Sequence, residues 1–204
     1  MITLQKAEFI LVLIVAVSFI ILTLYFSAKL RRYKKKAEKR IKTLENEVRH
    51  DYLTGTLTRK AFAEEMEASL AVEGSGMLLL FDINGFKAVN DMYGHAVGDG
   101  LIKRYAAKLQ KEFGKDIVGR LGSDEFLVFI VGKPTQDEVN SRLKKSGVSR
   151  FADKTTNLQI TSCCGAATAP ENGRTFDDLF ERADKALYSS KKNDRTISYC
   201  KSNL

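Results

Sequence analysis

The sequence has little cysteine and little proline, and each shortage excludes a class of protein. Its three cysteines, Cys163, Cys164 and Cys200, are odd in number and lack C-x-x-C spacing, which argues against a zinc site or a disulfide framework. Free thiols fit a reducing compartment. With only two prolines and a balance of 44% hydrophobic and 28% charged residues, the 204 residues are predicted to form one globular domain with a modest extension, not a disordered or fibrous chain.

The globular part also lacks an excess of positive charge, although the formal net charge of the chain is +8. Residues 29–49 contain ten basic and three acidic residues and therefore carry +7, whereas the charges within residues 1–28 cancel. A domain that binds a nucleic-acid backbone normally carries its basic excess on its own surface. We therefore predict no nucleic-acid partner.

An apolar segment precedes the basic one. Only Ser18 and Thr23 are polar within residues 9–26, and the flanking Ala7 and Ala28 make the run long enough for a membrane-spanning helix. A cleaved signal peptide or a buried core helix are the alternatives, but no basic region precedes the run and no small-x-small cleavage site follows it. Basic residues after a span stay in the cytoplasm, so the amino terminus is predicted to lie outside and the domain inside.

The basic segment combines its charge with a helical pattern. A coiled-coil spacing of four and three residues places Leu30, Ala37 and Leu44 at one heptad position, and Lys34, Ile41 and Val48 at the other. Because this pattern lasts under three heptads, a basic helix that lies against lipid is an equally good interpretation. We predict an anchor at residues 1–28, a helical linker at 29–50 and a globular domain at 51–204.

Hydrophobic periodicity and turn residues predict a mixed domain after residue 50. The predicted helices are 59–70, 86–94, 100–113, 135–145 and 176–191. The predicted strands are 77–83, 117–121, 126–131, 158–168 and 196–200. Helices combined with a clear antiparallel hairpin indicate an α+β fold, in which a mostly antiparallel central sheet is flanked by helices.

Acidic residues lie at the ends of two predicted strands. Asp82 closes the apolar strand MLLLFD, and Asp124 and Glu125 lie in the tip of the hairpin RLGSDEF, where Gly122 permits a positive φ. Each motif alone is also compatible with an ordinary acidic turn. If the hairpin pairs beside the Asp82 strand, the carboxylates meet at one edge, and such oxygen ligands suit Mg²⁺ bound together with phosphates. Two such metals could activate a hydroxyl and stabilise a leaving pyrophosphate.

Five motifs in order resemble those of the GGDEF-domain diguanylate cyclases, and together they cover about residues 51–200. They are DYLTG at 51–55, FDINGFKAVND at 81–91, YGHAVGD at 93–99, RLGSDEF at 120–126 and ADKALYSSKKNDR at 183–195. The resemblance implies a ferredoxin-like fold of the nucleotidyl cyclase palm type. It also implies a bacterial protein, which the predicted span would place in the inner (cytoplasmic) membrane with its catalytic domain in the cytoplasm.

The resemblance implies a metal-binding role for the acidic residues. Asp82, Asp124 and the backbone carbonyl of Ile83 would ligate two Mg²⁺ ions in each active site, with Mn²⁺ as an alternative metal. Glu125 would be a further ligand or a base. Asp124 and Glu125, together with Lys87, form the implied catalytic set.

Other motif residues would bind the nucleotide. Asn90 and Asp99 would read guanine, since a carboxylate accepts hydrogen bonds from N1–H and from the exocyclic amine, whereas adenine lacks that paired donor edge. Phosphates would be held by Lys87, Lys191 and Arg195. Lys191 and Arg195 are four residues apart and share a face if their helix continues that far.

The family's reaction needs two copies of the domain. Each copy binds one GTP, and the two 3′-hydroxyls attack the opposite α-phosphates, which yields cyclic di-GMP and two pyrophosphates. The resemblance therefore implies a homodimer, and a parallel coiled coil at residues 29–50 would hold the two half-sites near each other. The alternatives are a catalytically silent GTP-binding or scaffold domain, and a cyclase with a mixed guanine–adenine product.

Four positions depart from the family pattern. Ser123 replaces the second glycine of the signature, which would strain a glycine-only backbone. Asn84 replaces the second Asp of D-x-D and is expected to be tolerated, and Asp194 adds a negative charge near the phosphates. Many members of the family carry an inhibitory site with the motif R-x-x-D. In this chain Asp116 is present but Phe113 takes the Arg position, so we expect no strong product inhibition through this site.

Overall fold

The computed structural model describes residues 18–19, 21–37, 40–41, 49–153, 158–193 and 195–200. The chain forms two compact units, residues 1–46 and 47–204. In the first unit, residues 21–37 form helix α1, and its side chains are exposed. The second unit contains the sheet and the remaining helices.

The predicted membrane span receives no support from the structure. Within the described residues, no helix is long and apolar enough to cross a bilayer. Residues 9–17 and 20 of the predicted span 9–26 lie outside the described residues, as do Leu44 and Val48 of the predicted heptad pattern.

The second unit is built on a mixed seven-stranded sheet. Its strands are β1 (Leu57–Thr58), β2 (Gly76–Ile83), β3 (Ile117–Arg120), β4 (Glu125–Val131), β5 (Arg150–Asp153), β6 (Leu158–Ala169) and β7 (Ile197–Tyr199). The strand order is β1-β3-β4-β2-β6-β5, and β7 pairs with β6. The pairs β1–β3 and β6–β7 are parallel and the others are antiparallel, which confirms the predicted α+β fold with a mostly antiparallel sheet.

Five helices accompany the sheet. They are α2 (Arg59–Glu73), α3 (Phe86–Tyr93), α4 (His95–Phe113), α5 (Gln136–Ser146) and α6 (Phe176–Lys192). Local sequence sets several of their ends: Thr135 and Glu138 form a capping box at α5, and the Thr175 side chain accepts a hydrogen bond from the Asp178 amide at α6. Gly94, with φ of 83°, both ends α3 and begins α4.

The central strand β2 is apolar from Met77 to Phe81 because it contributes to two cores. Leu79 and Phe81 face a core formed with α4 and α5, whereas Leu78 and Leu80 face a core formed with α2 and α6. All four side chains are fully buried. Strands β4 and β6 also pair with β2 on its two sides. Two neighbouring strands and two cores therefore restrain this strand, which carries Asp82 near its carboxyl end.

Helix α6 packs unusually close to strand β6. A Cβ atom on Gly165 would lie 2.0 Å from the Ala183 carbonyl oxygen and 2.3 Å from the Leu187 amide nitrogen. Only glycine therefore permits this approach. The close packing fixes the last turn of α6, with Lys191, at the edge where β2 ends.

Candidate active site

The structure brings the acidic residues of two distant motifs to one edge of the sheet. Antiparallel pairing places Asp82 of β2 opposite Glu125 of β4, and the Ile83 amide donates to the backbone carbonyl of Asp124 at 3.2 Å. On its other side, Asp82 pairs with Cys163 of β6. The register of three strands thus places Asp82, Ile83, Asp124 and Glu125 together.

The electrostatics of this edge favour a bound cation. Burial raises the pKa of Glu125 above its usual value, and the charges of Asp82, Asp124 and Asp184 raise it further, while Lys191 opposes them. Carboxylates that repel one another are stabilised when a divalent cation neutralises them. Asp184 of α6 was not among the predicted site residues, because only the packing of α6 on the sheet brings it near.

Lys191 is already paired within the protein. Its Nζ lies 2.7 Å from Oδ2 of Asp82, and the two side chains are 43% and 16% exposed. The last turn of α6 therefore places an ammonium group directly beside the carboxylate edge. From this position Lys191 can balance the charge of Asp82 or of a ligand phosphate.

The donor set fits a metal that is held jointly with a phosphate ligand. Within the described parts of the chain, no three His, Cys, Asp or Glu side chains are arranged to enclose an ion. Mg²⁺ commonly takes only one or two carboxylates from a protein and completes its shell with phosphate oxygens and water. The acidic edge offers such oxygen ligands, so the residues present fit Mg²⁺ or Mn²⁺ carried in with a triphosphate.

Gly122 of the signature turn does not adopt the positive φ that glycine permits, since it is not among the glycines with a left-handed backbone. A Cβ atom at this position would instead lie 3.0 Å from Oε2 of Glu125. The missing side chain therefore makes room for the Glu125 carboxylate.

Arg120 connects the turn to the first motif of the domain. Its Nη1 donates to Oδ1 and Oδ2 of Asp51 at 3.0 and 3.2 Å, and its Nη2 donates to the Ser123 carbonyl at 2.8 Å. Asp51 Oδ1 also accepts from the amide and the hydroxyl of Thr54 at 2.9 and 2.6 Å. Arg120 was not among the predicted site residues, and its position at the start of the signature was the only signal for it in the sequence.

The two predicted base-reading residues lie at the junction of α3 and α4. Asn90 of α3 packs over Gly98, where a Cβ atom would come within 1.9 Å of Asn90 Oδ1. This oxygen is buried and has no hydrogen-bond partner among the described residues, and Asp99 follows Gly98 with an exposed side chain. A buried acceptor without a partner is costly, so this oxygen is available to a hydrogen-bond donor from outside the described residues.

The remaining predicted phosphate-binding residues are exposed. Lys87 lies in the first turn of α3. Helix α6 ends at Lys192, with Asn193 as its C-cap, so Arg195 does not continue the helical face of Lys191. The Arg195 backbone instead turns back, and its amide donates to the Ser190 carbonyl at 2.9 Å. Asp194 lies outside the described residues.

The altered inhibitory motif forms an internal contact. Phe113 is fully buried, and the guanidinium of Arg142 from α5 lies over its ring at 4.3 Å. The same guanidinium donates to Asp116 Oδ2 at 2.6 Å and to the Glu112 carbonyl at 2.9 Å. The aspartate of the motif is therefore already paired with an arginine of its own chain.

Asn84, the replacement in D-x-D, bonds to strand β6. Its Nδ2 donates to Thr161 Oγ1 at 3.0 Å and to Cys163 Sγ at 3.5 Å. The backbone amide of Asn84 donates to the backbone carbonyl of Thr161 at 2.9 Å. Asn84 thereby fixes the turn that follows Asp82 and Ile83.

Comparisons with known proteins agree with this architecture. A family model described as diguanylate cyclase, GGDEF domain, matches residues 48–196. Diguanylate cyclase DgcP of Pseudomonas aeruginosa is 34% identical over 153 residues, which are 71% of this chain and 23% of that protein. DgcM of Escherichia coli K12 is 32% identical over 166 residues, 74% of this chain and 38% of that protein. The chain thus spans less than two fifths of these curated relatives.

Solved structures show the same fold. The coiled coil and GGDEF domain of DgcB from Caulobacter crescentus, in complex with c-di-GMP, matches with a TM-score of 0.74 at 25% identity, over 84% of this chain and 96% of that one. A sensory box/GGDEF family protein from Caulobacter crescentus matches with a TM-score of 0.63 at 32% identity, over 71% and 99%. Because the family model covers most of the globular unit, the chain belongs to the GGDEF-domain diguanylate cyclase family.

Proposed function

We propose that this protein is an active diguanylate cyclase, which condenses two GTP molecules into cyclic di-GMP and releases two pyrophosphates. The observation that carries the proposal is the pairing of Asp82 with Glu125 across β2 and β4, with Asp124 adjacent. This register assembles an acidic edge from residues of two motifs, Asp82 and Asp124, that lie more than 40 positions apart in the sequence. Family membership supports the reaction class.

Guanine recognition is assigned to Asn90 and Asp99. The buried Oδ1 of Asn90, which has no partner among the described residues, would accept a hydrogen bond from the guanine edge. The exposed carboxylate of Asp99 would accept from N1–H and the exocyclic amine. ATP would leave the Asp99 carboxylate without its donors, which disfavours adenine.

The metal is assigned to the acidic edge, and the phosphates are assigned to three basic residues. Asp82, Asp124 and the carbonyl of Ile83 would hold two Mg²⁺ ions, or Mn²⁺, with Glu125 as a further ligand or base. When bound, the ions lower the charge on the transferring phosphate and on the leaving pyrophosphate. The protein would supply further positive charge to the triphosphate through Lys87, Lys191 and Arg195.

The reaction requires two copies of the domain, because one domain holds one GTP and each 3′-hydroxyl attacks the α-phosphate of the other. Positioning then supplies much of the acceleration. We therefore include a homodimer in the proposal. The apolar run at residues 9–26 and the basic residues 29–49 support an anchor in the bacterial inner membrane with the domain in the cytoplasm.

Mass spectrometry of reaction products tests the proposal. The purified full chain is incubated with GTP, ATP and Mg²⁺, and we expect cyclic di-GMP and pyrophosphate. Asp124→Ala should abolish the cyclic product. Glu171→Ala is the matched control, since this exposed carboxylate follows the other end of β6, and it should leave product formation unchanged.

Other products would identify the alternatives. Binding of GTP without any cyclic product would indicate a catalytically silent member. A mixed guanine–adenine dinucleotide would show that Asn90 and Asp99 do not exclude adenine from both half-sites. A normal yield from Asp124→Ala would remove the acidic edge from the mechanism.

A further inference from the structure

Ser123 makes a contact that the glycine of the family signature cannot make. Its hydroxyl donates to Oδ1 of Asp124 at 2.6 Å. A hydrogen bond to a charged carboxylate is stronger than one between neutral groups. The bond also restrains the side-chain torsions of Asp124, which is half-buried.

The backbone of Ser123 is fixed independently of its side chain. Arg120 donates to the Ser123 carbonyl at 2.8 Å, and Arg120 is itself paired with Asp51, in a contact whose side chains are only 12% and 17% exposed. The hydroxyl is therefore presented from a restrained peptide.

The contact occupies only one of the two carboxylate oxygens. Oδ1 of Asp124 accepts the serine proton, which leaves Oδ2 available for a cation. Because the hydrogen bond restricts the orientations of the Asp124 carboxylate, less order must be imposed when a cation binds. Gly122 acts similarly on Glu125, by leaving space near its Oε2.

We propose that Ser123 is a positioning residue that presents Asp124 to the divalent cation bound with the triphosphate. The inference rests on the metal assignment of the proposed function. The family signature has glycine at this place, which offers no hydroxyl. The substitution then gives local support to a metal ligand.

Metal affinity is the direct test. Mn²⁺ binding to the full chain is followed by electron paramagnetic resonance with 3′-deoxy-GTP, which lacks the attacking hydroxyl and cannot cyclise. We expect Ser123→Ala and Ser123→Gly to raise the Mn²⁺ dissociation constant by about three- to tenfold, the range of one net hydrogen bond. Ser123→Thr keeps the hydroxyl and should stay within about twofold of the wild type.

A matched control and a kinetic readout separate positioning from folding. Ser141→Ala removes an exposed hydroxyl from α5 and should leave Mn²⁺ binding unchanged. In turnover assays, Ser123→Ala should raise the Mg²⁺ concentration for half-maximal rate, while kcat at saturating Mg²⁺ stays within about twofold. A variant that was merely misfolded would lose kcat at every metal concentration.

The outcomes distinguish this inference from the proposed function. Wild-type Mn²⁺ affinity in both Ser123→Ala and Ser123→Gly would overturn the inference and leave the cyclase proposal intact. Weakened Mn²⁺ binding in the variants, without cyclic di-GMP from the wild type, would support the role of Ser123 and reject the activity. A wild type that binds no Mn²⁺ with the analogue would overturn the metal assignment and the inference together.

Discussion

At the residue scale, the signature turn depends on side chains from elsewhere in the sequence. Asp51 lies about 70 residues before the turn, yet its carboxylate accepts a hydrogen bond from Arg120. The same guanidinium donates to the Ser123 carbonyl. Burial alone raises the pKa of Asp51, but hydrogen bonds from Thr54 and Arg120 outweigh it and keep the pKa below its usual value. The charged form of Asp51 is therefore the one that the folded state stabilises.

We predict that Asp51→Asn destabilises the protein in a pH-dependent manner. A lowered folded-state pKa contributes stability above the unfolded-state value, and this stability is lost as the pH falls through the folded value. At pH 7 the free energy of unfolding should therefore fall by about 1–3 kcal/mol, since Arg120 loses its charged partner. Urea unfolding at pH 7 and near pH 3 measures the effect, and the difference from wild type should shrink at the lower pH.

Glu171→Gln is the control for that comparison, because Glu171 is an exposed turn residue. Its unfolding free energy should follow the wild type at both pH values. A pH-independent loss in Asp51→Asn would mean that the amide disrupts packing and that the charge is not responsible.

Asn84 supports a second prediction at this scale. Asn84→Ala removes the bonds to Thr161 and Cys163 and should lower the unfolding free energy by about 0.5–1.5 kcal/mol. Asn84→Asp can still accept from the Thr161 hydroxyl, so its unfolding free energy should lie closer to the wild type. Chemical denaturation of the two variants checks this order, and the reverse order would contradict it.

At the element scale, Arg142 joins α5 to the end of α4 and to Asp116. The guanidinium covers the buried Phe113 ring and is paired with Asp116, so the region where relatives carry R-x-x-D is filled by internal contacts. Oδ2 of Asp116 is therefore already occupied by Arg142. This contact strengthens the expectation that was drawn from the sequence.

We therefore predict that cyclic di-GMP does not strongly inhibit the enzyme through this site. Progress curves of the full chain should keep the same initial rate with and without micromolar cyclic di-GMP. Calorimetry should find no tight binding of cyclic di-GMP in the absence of GTP. Curves that flatten as micromolar product accumulates would contradict the prediction.

The close contact of α6 with β6 leads to another prediction. Gly165→Ala would place a methyl group 2.0 Å from the Ala183 carbonyl oxygen, so the helix must shift, at a cost of about 1–3 kcal/mol in unfolding free energy. The same shift should weaken GTP binding, because α6 carries Lys191. Thermal unfolding and GTP titration measure both effects, and an unchanged protein would show that α6 adapts without loss.

The sequence predicted the elements with strong periodicity and missed those without it. The leucine-rich β2 and the amphipathic α6 were found within one residue at each end. Strands β1 and β5 were missed, since two and four residues are too few to show alternation. Helix α4 begins at His95 and not at Gly100, because Gly94 separates two helices without an intervening loop.

The site residues that belong to sequence motifs could be predicted, whereas the contacts that depend on packing between elements could not. The register of β2 and β4 brings Asp82, Asp124 and Glu125 together as the motifs implied. The approach of Asp184, the pairing of Lys191 with Asp82 and the anchoring by Arg120 depend on distances between elements, which a single sequence does not encode in any local pattern.

At the scale of the whole molecule, one domain supplies half of the proposed reaction. Each copy presents one acidic edge and one base-reading junction, so two copies must meet. We predict that specific activity rises with protein concentration until the dimer is saturated. Mass photometry over the same range should show dimers rising in parallel, and constant activity of a species that stays monomeric would contradict the prediction.

The double-sided burial of β2 constrains how the chain can change in length. Side chains alternate between the two faces of a strand, so a one-residue insertion within β2 would move the side chains after it to the opposite face. Asp82 would then no longer pair with Glu125. The turn at residues 132–135, between β4 and α5, could absorb the same insertion without disturbing either layer. Inheritable length variation should therefore be concentrated in such turns, while β2 keeps its residue count.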